Sequence, residues 1–146
     1  MVRILTFVLV ITLVIGLSNF AHATARTETS RIVSDSMSSV DKAITQFVGF
    51  TTGEARLGDV LSALEIARGE LYVNMLSLRD VKADDSLDEE TLINASTFVT
   101  GLYMLTDLMH MAIGTLNVEM LQTCTGMLIY LKDFVDEHNL KNFVRW

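Results

Sequence analysis

Apolar residues recur at helical spacing along most of the chain. Val33, Met37, Val40, Ile44 and Phe47 step by four and three, the stripe of one helix face, and predict a first helix over 30–48. Leu57, Leu61, Leu64, Leu71, Met75 and Leu78 predict a second, ending near Arg79, with Arg68 in the one slot of that stripe that lacks an apolar residue. A third runs to about Ile113. Leu121, Cys124, Leu128, Leu131 and Val135 mark a fourth, from Val118 to about Asp136. No stretch sustains the alternation of a strand, and no proline interrupts the pattern. Short links between such helices favour antiparallel neighbours. The expected fold class is therefore all-α, an antiparallel up-down four-helix bundle.

Polar residues punctuate these helices. Gly49 and Gly53 bracket the end of the first, and Thr51-Thr52-Gly53-Glu54 fits a capping box opening the second. Ser86-Leu87-Asp88-Glu89 fits another, opening the third, which stops at Gly114. Thr115 and Asn117 suit the cap of the fourth. Residues 24–39 hold eight Ser or Thr in sixteen positions. They read as a polar tail merging into helix one, with the bundle domain over 30–146. Leu140, Phe143, Val144 and Trp146, mixed with Lys141 and Arg145, form a short amphipathic end expected to dock on the bundle rather than on a membrane interface.

The third helix departs from the amphipathic norm. Its one polar face is the stripe Ser96, Thr100, Tyr103, Asp107, His110 and Gly114. A bundle helix ordinarily keeps a broad wet side. Here that side is narrow, and Met104, Leu108 and Met111 lie beside it at i, i+4 and i+7. A core contact from the N-terminal helix or the C-terminal end would explain this. So would a partner surface, where flexible methionines adapt well, or a cavity for an apolar ligand. Met104, Leu108 and Met111 are thus the candidate partner surface.

The chain begins with a different pattern. Arg3 precedes an uncharged run from Ile4 to Leu17, and Ala21-His22-Ala23 follows as a small-x-small site. That is the layout of a secretory signal peptide, expected over 1–23 with cleavage after Ala23; Ala23-Thr24-Ala25 offers a second site, after Ala25. The run is shorter than the ~20 apolar residues of a spanning helix, so membrane contact is expected only in transit, and the localisation is secreted, extracellular or periplasmic. Removing 1–23 takes away Arg3 alone among the charges, which deepens the formal charge from −7 to −8.

This acidic balance argues against nucleic acid, whose phosphates need a clustered basic surface. A single cysteine, Cys124, excludes a disulfide framework. Its place on the apolar stripe of helix four makes it a buried small hydrophobe. Asp84, Ser86, Asp88 and Glu90 alternate as calcium ligands do, yet Glu89 and Ala95 stand where an EF-hand loop requires Gly and Glu. Asp107 and His110, three apart, read as a solvated pair. Val135, three before His138, leaves no second carboxylate-x-x-His pair for a di-metal site. Asn94-Ala95-Ser96 is a sequon on a half-buried face. No nucleophile elbow, phosphate loop or zinc spacing is present. The expectation is no enzyme, no catalytic residues, no metal and no cofactor. What remains is a secreted helical binding module, effector- or inhibitor-like, contacting a protein partner or a second copy non-covalently. The alternative is a carrier of a lipid or other apolar small molecule.

Overall fold

A computed structural model describes residues 24–144. The expected signal segment, its cleavage site at Ala23, and Arg145 and Trp146 lie outside the described residues. Four α-helices follow one another: α1 (Ala25–Thr52), α2 (Leu57–Asp80), α3 (Glu89–Gly114) and α4 (Val118–Glu137), then a 3-10 turn at Leu140–Asn142. Among the described residues there is no strand, only an isolated bridge between Asp84 and Leu87.

Residues 24–39 are not a loose tail. α1 starts at Ala25, five residues before the expected start. The reason lies in its seam with α2. Ser36 and Ser39 are small enough to be buried there, and α2 offers them partners. Asn74 Nδ2 donates to Ser36 Oγ at 3.0 Å, and Ser39 Oγ donates to Glu70 Oε2 at 2.5 Å. A buried hydroxyl with a partner avoids the desolvation cost of an orphan. Serine and threonine counts read as disorder only when nothing lies opposite them.

Neither expected capping box forms. α1 runs through Thr51 and Thr52, whose hydroxyls donate back to Val48 O and Gly49 O. Gly53, at φ +82, then ends the helix in a left-handed conformation that costs glycine little. α2 opens at Leu57, where Asp59 Oδ2 accepts from the Arg56 N–H at 3.0 Å. At α3, Asp88 is the N-cap and accepts from the Thr91 N–H at 2.8 Å. Asn117 caps α4 as its spacing suggested, accepting from the Met120 N–H at 3.1 Å.

The core draws on every helix. Val33 and Val40 of α1, Leu64, Leu71 and Leu78 of α2, and Cys124, Leu131 and Val135 of α4 are buried, as the stripes require. Ile32, Val60 and Ala67 join them. α1 packs on α2 and α3, α2 on α3, and α4 on α3 and the 3-10 turn, consistent with a bundle. Gly101 lets α4 approach: a Cβ there would fall 2.5 Å from Leu131 Cδ2.

Candidate functional site

α3 packs against α1, α2, α4 and the 3-10 turn. A helix enclosed on several sides must be apolar on several sides, and this accounts for most of its composition. Phe98, Val99, Leu102, Leu105, Met109, Ala112 and Ile113 are all buried. Thr106 is buried too and returns its hydroxyl to Leu102 O at 2.8 Å.

Within the polar stripe of α3, Tyr103 and Asp107 face α2 rather than open solvent. Arg68 Nη1 donates to Asp107 Oδ1 at 2.8 Å. One turn away, Tyr72 and Tyr103 hold their rings 6.3 Å apart at 49°. Asp107 therefore takes Arg68 as its partner, not His110, and the empty slot in the α2 stripe is the position of that arginine. The pair stays more than a third exposed on each side, where screening leaves ion pairs weak. The carboxylate beside it nonetheless holds the Arg68 guanidinium above its ordinary value, mainly through their hydrogen bond.

The remaining face of α3 points to solvent. Met104 is 57% exposed and Met111 46%. Leu108, between them, is half-buried and packs on the core. Ile93, 57% exposed, and Thr97 extend the same face toward the helix start, with half-buried Thr100 between Thr97 and Met104. Steps of four, three, four, four and three thus join Ile93, Thr97, Thr100, Met104, Leu108 and Met111 in one uncharged stripe. The sequence reading stopped at Met104. Continuing the period three turns backward reaches Ile93.

Elsewhere the chemistry is quiet. Asp84 turns its carboxylate to α1 and to Ser86. Among the described residues no group of three or more His, Cys, Asp or Glu is placed to hold a metal ion. No described helix is long and apolar enough to cross a membrane. A groove of about 480 Å³ between α1 and α2 has Asp35, Lys42, Glu70 and Asn74 in its walls together with Val73.

Cys124 is 4% exposed, and burial raises its thiol pKa. Since the thiolate is the reactive form, labelling by a thiol reagent should be slow in the folded protein and fast in denaturant. Equal rates in the two states would place Cys124 off the core face. Comparison with protein-family models, with curated proteins and with solved structures finds no match.

Proposed function

We propose that this protein is exported, loses residues 1–23 and acts as a non-enzymatic helical binding module, its helices antiparallel in up-down order. The partner is another protein, docked non-covalently on the outer face of α3. One observation carries the reading: six successive face positions of α3, from Ile93 to Met111, hold no charge and include three exposed apolar side chains. Ile93, Met104 and Met111 on that face are each close to half exposed or more, apolar surface that a docked partner would remove from water. Burying such a stripe is favourable at roughly 25 cal/mol per Å² of apolar area, and methionine adjusts to the shape it meets. The stripe starts beside Asp88, Glu89 and Glu90. A partner with an apolar centre and a basic rim fits this arrangement.

Met104→Lys with Met111→Lys tests the proposal. Both positions are exposed, so melting should stay within a few degrees. Leu108→Lys is a poorer probe, because Leu108 packs on the core. The partner is captured by crosslinking from the natural source, purified and titrated against both proteins. Binding should weaken at least tenfold, since a desolvated lysine without a counter-charge is strongly unfavourable. Equal affinity of the double variant overturns the surface. A dimer of the wild type in light scattering that the variant lacks identifies a second copy as the partner. Release of an apolar small molecule on organic extraction replaces the module with a carrier.

A further inference from the structure

The first turn of α1 is held by a residue 59 positions away. The Ala25 N–H donates to Asp84 Oδ2 at 2.9 Å, and the Arg26 N–H donates to Ser86 Oγ at 3.2 Å. Asp84 is itself fixed. Its Oδ1 accepts from the Ser86 N–H at 2.8 Å, and its backbone exchanges two hydrogen bonds with Leu87, whose side chain is buried. Ala25 is buried at the same junction. Asp84 therefore receives hydrogen bonds but, among the described residues, forms no ion pair. The ion pairs among the described residues join Arg31 to Glu28 and Asp35, Arg68 to Asp107, and Lys141 to Asp136.

The Ala21-His22-Ala23 cleavage pattern is independent of this geometry. Cleavage there would leave a free amine on Thr24, the residue before Ala25. Thr24 is extended at ψ 154, which keeps its nitrogen roughly 3.5 Å from that of Ala25 and no more than about 6.5 Å from Asp84 Oδ2. We infer that removal of residues 1–23 completes the fold: the α-ammonium released at Thr24 pairs with Asp84 and locks the start of α1 to the link between α2 and α3. This inference rests on the export reading.

The sign of the effect sets it apart from ordinary helix behaviour. A positive charge at a helix N-terminus opposes the macrodipole, so acetylating a terminal amine normally stabilises a helix. Asp84 reverses that balance. The other charged groups around Ala25 are Glu28 of α1, Asp80 at the end of α2, and Lys82 of the link. Arg26 lies over the Phe143 ring at 5.8 Å. The neighbourhood is net negative and favours an ammonium. The Ala25 amide above all, with the Ser86 donors, already holds the Asp84 carboxyl below the usual range.

The test uses residues 24–146, which contain every buried apolar residue described, with the amine free or acetylated, in wild type and in Asp84→Asn. Asparagine keeps an oxygen for the Ala25 N–H and removes the charge. Near pH 7 the free-amine wild type should melt about 3 °C above its acetylated form. In Asp84→Asn the gap should vanish or change sign. The amine's folded pKa is raised above the ~7.7–8.0 of a free chain. Its stabilisation is then full below that range and lost as pH rises through the folded value. On the acid side it is lost as Asp84 protonates, below the ordinary aspartate range. Acetylated protein melting at or above the free-amine form, or an equal gap in Asp84→Asn, overturns the ion pair. Should Asp84→Asn not fold, NMR titration of the wild-type amine decides: a pKa no higher than that of a Thr24 peptide overturns it. N-terminal sequencing of exported protein is the separate check. A start other than Thr24 refutes the processing reading and the lock with it, whereas a Thr24 start with equal melting refutes the lock alone.

Discussion

Phe98→Ala is expected to cost about 3–5 kcal/mol, the range for deleting a fully buried aromatic ring. Phe98 has no exposed surface, and it sits on the helix that α1, α2 and α4 all contact. A ring at such a junction cannot be replaced by the inward shift of one neighbour, so the cavity should stay largely open. Small domains hold only about 5–15 kcal/mol in total. The variant should therefore lose a large part of its stability, read as a lower urea midpoint with the same slope. A loss below about 1 kcal/mol would mean that α3 is not the centre of the core.

Leu140→Ala is expected to cost about 2–4 kcal/mol by the same mechanism, although it lies past the last α-helix. The Phe143 and Val144 amides donate to Leu140 O at 2.8 and 3.0 Å, which folds the chain end into a tight turn. Leu140, Phe143 and Val144 are all buried, and the turn contacts α3 and α4. Asn139, at φ +56, makes the bend that returns the chain to the bundle; asparagine tolerates that region better than most residues. Were this segment an ordinary frayed terminus, the substitution would cost under ~0.5 kcal/mol. Urea titration of the helical signal separates the two outcomes.

Helical periodicity is a local property, and it was legible. The stripes of α1, α2 and α4 lie in the sequence because each helix buries one face, and that face repeats every three or four residues. The cap at Asn117 was legible for the same reason, since side chain and amide are three residues apart. The ends of α1 and the start of α3 were not. Ser86 suits a helix cap by sequence, but its hydroxyl accepts from Arg26 across the fold while Asp88 caps α3. Two residues compete for such a cap, and a distant amide settles which of them provides it.

The candidate surface divides along the same line. Met104, Leu108 and Met111 share a face by helical geometry alone, and the sequence suffices to group them. Whether a shared face is wet depends on which helices lie against it, and that is a long-range property. Burial separates Leu108, packed on the core, from Met104 and Met111, which face solvent. Asp107 likewise looks solvent-facing by residue type, yet it lies on the α2 side of α3 because Arg68 stands opposite it. Residue type and spacing decided where the helices are and which of their faces are apolar. Only the packing of the other three helices and the 3-10 turn on α3 decided which of its apolar positions stay exposed, because burial belongs to pairs of surfaces and a sequence lists them one at a time.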